Sequence, residues 1–353
     1  MNRREFLSTA ALATTLTAGC SRVTGDGDRG IEWKIEVGDA LPAQIVGSDD
    51  SVYVGADSKI YRLSAATGEP KWIYDGAGDS YLRVHLHDET VYGGWFRDGV
   101  VAVDAESGNH RWSVQPLDSA SGVTGLGSHP GTDAIYYNDL DGVAVALDPT
   151  DGELLWYYDT GGTLRDGPVV TRDSVYVASE DGVLYALAAD TGEKRWQYDT
   201  GSKNVLAPTV ANGTVYVGPQ DATLYAVDSK DGTERWQYST TTEKWLAPTV
   251  DGDVAYLATF DGDVEKIDLQ TRERIWHNGG QGRSVVPPGV GPDNVYIGGP
   301  NRLVGISKST GETVSVVKTG EIEHSSFHQT PLVSTDRVIS GNTGGFVFAT
   351  PRT

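Results

Sequence analysis

Seven histidines, His85, His87, His110, His129, His277, His324 and His328, are the side chains best suited to hold a metal or move a proton near neutral pH. Only His85-x-His87 and His324-x-x-x-His328 have ligand-like spacing. Residues two apart share a face of a strand, so His85 and His87 point together, and a metal would need a third or fourth ligand that the neighbouring sequence does not clearly supply. No Gly-x-Ser-x-Gly elbow, phosphate-binding loop or His-Glu-x-x-His occurs. A second group, Arg165, Lys203, Lys244, Trp245, Arg283, His324 and His328, with Phe327 beside it, stands in stretches that each precede an inner segment of the Leu-Ala-Pro-Thr-Val type. If the fold brings these stretches to one mouth, they form a basic and aromatic ring for an anionic or sugar-like group. If nearby Asp and Glu answer them, they are ordinary surface charges.

The elements that must position these residues follow from a repeat. Tryptophan returns at Trp33, Trp72, Trp112, Trp156, Trp196, Trp236 and Trp276, and a Val-Tyr-Val-Gly type segment keeps step between them, at 52, 91, 135, 175, 215, 255, 295 and 338. Such a period marks a repeat architecture. The copy from Leu206 to Trp236 divides into four apolar, β-branched stretches separated by Asn212-Gly213, a turn at Asp221 and Asp231-Gly232, the chemistry of tight hairpins. The reading is all-β, an eight-bladed propeller of four-stranded antiparallel blades. The seventh outer strand has Ser315 in place of tryptophan, and Trp33 precedes every Val-Tyr-Val-Gly copy. The N-terminal strand is therefore expected to complete the C-terminal blade and close the ring.

These residues carry a family resemblance. The blade endings resemble the pyrroloquinoline-quinone-type repeat, Ala-x-Asp-x-x-Thr-Gly-Lys/Glu-x-x-Trp: Ala102, Asp104, Ser107, Gly108 and Trp112 fit it, as do Ala146, Asp148, Gly152, Glu153 and Trp156, and Ala226, Asp228, Gly232 and Trp236. Thr191, Gly192, Glu193 and Trp196 keep its second half, with Ala188 at the Asp place. The resemblance implies that the seven tryptophans dock blade on blade, each indole flat on a turn glycine with its N–H on a carbonyl. It also raises quinone-dependent oxidation of alcohols or sugars, with pyrroloquinoline quinone and calcium as cofactors. That chemistry implies a vicinal disulfide, impossible with Cys20 as the only cysteine, and insertions for a calcium cage that the repeat spacing does not hold.

Arg3-Arg4-Glu5-Phe6-Leu7 followed by a short apolar stretch resembles a twin-arginine export signal, and Leu16-Thr17-Ala18-Gly19-Cys20 resembles a lipobox. The organisation expected is a signal peptide over 1–19, a lipid-anchored tether over 20–30 beginning at Cys20, and one propeller over 31–353. Forty-nine acidic against 28 basic residues give a formal charge of -21, and loss of residues 1–19 with Arg3, Arg4 and Glu5 leaves -22. Such acidity argues against nucleic-acid binding. It resembles proteins adapted to high salt and, with the export motifs, points to a haloarchaeal source. Asn212-Gly213-Thr214 matches a glycosylation sequon but reads first as a hairpin turn.

The combination of repeat, blade number and anchor resembles the BamB-type lipoprotein family. This implies a non-enzymatic, monomeric, extracytoplasmic scaffold on the outer face of the cytoplasmic membrane, binding a protein or an anionic or sugar-like ligand with one propeller face and carrying no cofactor or metal. The alternative is the quinoprotein dehydrogenase.

Overall fold

The structure, a computed structural model, describes residues 30–38, 44–76, 82–95, 99–115, 122–203, 207–219, 221, 223–239, 248–259, 261–281, 286–319 and 330–353. The export motif, Cys20 and most of the tether lie outside the described residues. Within them the chain forms eight four-stranded antiparallel sheets. We number the blades from the one that begins at Gln44–Gly47. In blades 1 to 7 the strands follow chain order, the first at the centre of the ring and the fourth at the rim. Blade 8 is composite: Leu332–Val333, Arg337–Asn342 and Phe346–Pro351 receive Trp33–Glu36 as their rim strand, with Trp33 opposite Ala349 and Glu36 opposite Phe346. The first strands of blades 8 and 1 also touch, so the ring closes at its centre as well as at its rim.

The apolar core lies between blades. One cluster joins Tyr136, Ala146 and Trp156 of blade 3 to Val175, Val177, Tyr185 and Leu187 of blade 4. Alternation explains this: a strand inside a blade is covered on both faces, so successive side chains serve opposite neighbours. The second-strand segments are accordingly buried, throughout in six blades, as in Ser174–Ala178, and in all but the first residue in blades 6 and 8.

Blades 1 to 7 turn from third to fourth strand through a five-residue turn of the Asp-x-x-Thr/Ser-Gly type, complete in blade 2 and varied at one place in each of the others, and this turn receives the previous blade's tryptophan. In blade 2, the Asp104 carboxylate accepts the Ser107 N–H at 2.8 Å, and Gly108 donates to the Asp104 carbonyl at 2.9 Å with φ at +75°. The conformation favours glycine, and so does the space: a Cβ on Gly108 would stand 2.8 Å from the Trp72 indole. The same seat serves Trp33 on Gly68, Trp112 on Gly152, Trp156 on Gly192, Trp196 on Gly232 and Trp276 on Gly311. Each indole N–H finds a carbonyl of the turn it covers, for example Trp72 to Ala105 at 3.1 Å and Trp156 to Ala189 at 2.9 Å. The tyrosine of the second strand joins in. Tyr53 donates to Ala105, Tyr136 to Ala189 and Tyr176 to Ser229, each ring tilted against the same tryptophan at 5.7–5.9 Å between centroids.

Two positions depart from the pattern. Arg272, at φ +62°, occupies the glycine place in blade 6, and its guanidinium lies 6.0 Å over the Trp236 ring, which is only partly buried. In blade 7, Ser315 pairs with Gly305 as Trp236 pairs with Ala226. There Tyr296 reaches the Thr353 carbonyl at 3.0 Å, and Thr353 Oγ1 meets Ser315 Oγ at 3.2 Å.

Removing a buried indole leaves a cavity and takes one of two donors from the turn carbonyl, a loss of about 3–5 kcal/mol for a full truncation. Trp156→Ala is expected to destabilise by that amount, and Trp236→Ala, on its arginine seat, by clearly less. Denaturant midpoints of the two variants check the order.

Candidate functional site

Antiparallel strands put the first-to-second and third-to-fourth turns on one face of the ring, and the connections between blades on the other. Arg165 and Lys203 fall on the connecting face. Arg165 is paired through Nε to Glu180 of the next blade, and Lys203 is exposed. Its charge answered by a carboxylate, Arg165 behaves as a surface ion pair. Lys244, Trp245, Arg283, His324 and His328, together with Phe327, lie outside the described residues. The neighbouring backbone on this face is knitted together: Asp166 accepts Asn138 Nδ2 on its carbonyl at 2.9 Å and the Ala207 N–H on its carboxylate at 3.1 Å.

The opposite face carries the largest irregularity of the described repeat. Between the first two strands of blade 3, Val123–Gly127 and Ile135–Asp139, the hairpin loop runs from Ser128 to Ala134, whereas Asn212 and Gly213 suffice in blade 5 and Asp88 and Glu89 in blade 2. The long loop leans toward blade 2. Ser128 Oγ sits 2.7 Å from His85 Nε2 and 3.0 Å from His87 Nδ1, both on the innermost strand Leu82–His87. One hydroxyl therefore bridges two imidazoles across the blade boundary. Burial, and then the charge of His87, pushes His85 down to about 4, so it is neutral near pH 7.

Together the two hairpins enclose a groove of about 670 Å³, walled by His87, Asp88 and Glu89 on one side and Pro130, Thr132 and Asp133 on the other. Arg111 braces its floor, donating to Thr90 Oγ1 at 2.6 Å and to Asp104 Oδ2 at 2.7 Å. The Arg111 guanidinium, followed by the Ser107 N–H, holds the Asp104 carboxyl well below its ordinary range. The order Asp88, His87, Ser128 has the composition of a nucleophilic relay, but its geometry is that of a clasp. Asp88 is 81% exposed and 3.6 Å from His87 Nε2, beyond hydrogen-bond reach, and Ser128 is held behind the wall by two imidazoles. The sequence pairing of His85 with His87 on one face holds. No spacing in the sequence ties Ser128 to these histidines, although the wider interval between the copies at 91 and 135 marks the insertion that brings it. Among the described residues, no group of three or more His, Cys, Asp or Glu is placed to hold a metal ion.

A sequence model of the family described as outer membrane protein assembly factor BamB matches residues 25–128, 97–207, 140–279 and 206–351. Among solved structures, BamB from Moraxella catarrhalis superposes with a TM-score of 0.72 at 17% identity, covering 95% of this chain and all of that one. A computationally designed protein, Ika8, gives 0.78 at 18% identity, covering 89% of this chain and 97% of its own. Sqt1 of Saccharomyces cerevisiae gives 0.77 at 11%, with 90% and 98% covered. No curated protein sequence matches the chain. At these identities the superpositions establish the propeller.

Because the folded His85 pKa of about 4 lies below its ordinary 6.5, the fold favours neutral imidazole. Stability is full above pH 6.5 and is lost as pH falls toward 4, by up to about 3 kcal/mol at 1.36 kcal/mol per unit. Urea unfolding from pH 7.5 to 4 should show this slope, and His85→Asn should flatten it.

Proposed function

Because the chain belongs to the BamB family, we propose that it is a non-catalytic scaffold, tethered through Cys20 to the outer face of the cytoplasmic membrane, that binds another protein on the hairpin face of its propeller. The observation that carries this reading is the groove between blades 2 and 3. A repeat needs only two or three residues to turn a hairpin, and the longer Ser128–Ala134 loop builds a wall that ring closure does not require. The groove is polar and acidic along both rims, with Asp88 and Glu89 facing Asp133, which suits a protein partner presenting basic or hydroxyl side chains. The His85–Ser128–His87 clasp supports it by holding that wall against blade 2, so the binding shape is built before the partner arrives.

A photo-crosslinking residue at Thr132, in the groove, and another at Lys203, on the opposite face, separate the possibilities in native membranes. A reproducible adduct at 132 and none at 203 is expected; equal adducts at both, or none at either, would reject the reading. In the same cells Cys20→Ala should move the protein from the membrane to the soluble fraction. Reconstitution with pyrroloquinoline quinone and calcium is expected to give no saturable change in quinone absorbance, whereas a stoichiometric change would assign the chain to quinone chemistry.

A further inference from the structure

The rim strands provide eight internal comparisons, since each is the fourth strand of its sheet and has one edge without a neighbouring strand. Such an edge is a template for another chain, and proteins blunt it with charge. Here the blunting residues are visible. Beside the docking tryptophan, blade 4 carries Lys194, Arg195 and Gln197, blade 5 Glu234, Arg235 and Gln237, and blade 2 His110, Arg111 and Ser113. Blade 3 has Leu154, Leu155 and Tyr157 at those places, 45%, 48% and 61% exposed. They do not serve the core: Trp156 and Tyr158 are the residues of this strand that pack onto blade 4. A bulge opposite Ala146 and Leu147 turns Leu154 and Leu155 both outward. Blade 7 also exposes Val314 and Val316, and blade 6 Ile275, but Thr313 stands at the Leu154 place in blade 7, and Arg274 and His277 at the Leu154 and Tyr157 places in blade 6, so neither rim has a large apolar side chain at all three places.

We infer that the rim strand Leu154–Asp159 receives an extended segment of a partner protein as a fifth strand of blade 3, with apolar side chains on Leu155 and Tyr157 and basic residues at its ends. Three features select this occupant. A free strand edge pairs with extended backbone and offers no groove for a helix. The exposed residues are large and apolar, so specificity falls on alternate side chains of the incoming strand. The strand is bracketed by exposed Asp151 and Glu153 before it and Asp159 after it. Antiparallel pairing with a second copy would set Glu153 against Asp159 at each end of a chain already at -21, so self-association is opposed and a lysine- or arginine-ended segment is favoured. This inference rests on the scaffold reading and names the chemistry of its partner.

The repeat supplies the test variant. Leu154→Lys, Leu155→Arg and Tyr157→Gln convert the strand to the sequence of its blade 4 counterpart, Lys194–Asp199, which the same architecture already accommodates. The probe is a fluorescein-labelled peptide, Lys-Val-Thr-Val-Thr-Val-Lys, followed by anisotropy on the full propeller, with hydrogen exchange of the rim strand as the structural readout. Expected are saturable binding, slower exchange confined to the blade 3 rim, at least tenfold weaker binding to the triple variant, and at least tenfold weaker binding of a control peptide with Glu in place of both terminal Lys residues. Equal binding to wild type and variant, protection spread over several rims, or concentration-dependent dimerisation of the unliganded propeller would each overturn the inference. The variant also tells the two readings apart. If it keeps the Thr132 adduct in membranes while peptide binding is unaffected by the swap, the rim assignment fails and the scaffold stands; if wild type forms no adduct, the scaffold itself fails.

Discussion

The structure depends on one contact repeated around the ring: an indole lying flat on a glycine whose backbone only a residue without a Cβ adopts at low cost. The glycine must have a positive φ to finish the Asp-x-x-Thr-Gly turn and must be bare to admit the ring, so one residue satisfies a conformational and a packing demand together. The indole then caps a turn carbonyl and is tilted against the second-strand tyrosine that shares it. Blades 1 to 4 thereby each hold the next through burial, two hydrogen bonds and an aromatic pair, which suits a chain whose only cysteine precedes the propeller. Stability becomes a sum over nearly equivalent seams.

Equivalent seams make departures informative. Arg272 replaces a glycine and answers with its guanidinium over Trp236, recovering in cation–π attraction part of what the unfavourable φ costs. Lys266 enters the seam between blades 6 and 7 at a place held by alanine in blades 2 to 5 and 8. Its ammonium takes the Lys308 carbonyl at 2.9 Å alongside Trp276, and the Tyr256 hydroxyl is left buried without a partner. Burial, then the charge of Lys308, lowers the Lys266 pKa. These changes alter a seam without altering the ring. The long loop and apolar rim of blade 3 change the surface that the ring presents, which is where a binding protein can diverge at little cost to its fold.

The legibility of the sequence followed the same division. Blade number, strand order, the closing role of Trp33 and the degeneracy at Ser315 were all readable, because each repeats a local rule: alternation for strands, Asn-Gly and Asp-Gly for turns, tryptophan at the rim. The pairing of His85 with His87 was readable for the same reason. The third member of their cluster was not, since Ser128 lies 41 positions from His87 and joins it only because a longer hairpin leans across a blade boundary. Nor was the pairing of Arg165 with Glu180, which lie in different loops and meet through the stacking of blades 3 and 4.

By itself, then, the sequence determined an eight-bladed ring and the residues that lock it, since a periodic pattern of short-range preferences leaves closure as the arrangement that covers every apolar face. Tertiary structure decided which loops meet and which apolar side chains an open rim leaves exposed: His85, His87 and Ser128 at one seam, and Leu154, Leu155 and Tyr157 at one rim. Contacts of that kind depend on the small rotation between neighbouring blades and on how far one loop overhangs the next, and no residue pattern within a single repeat encodes either.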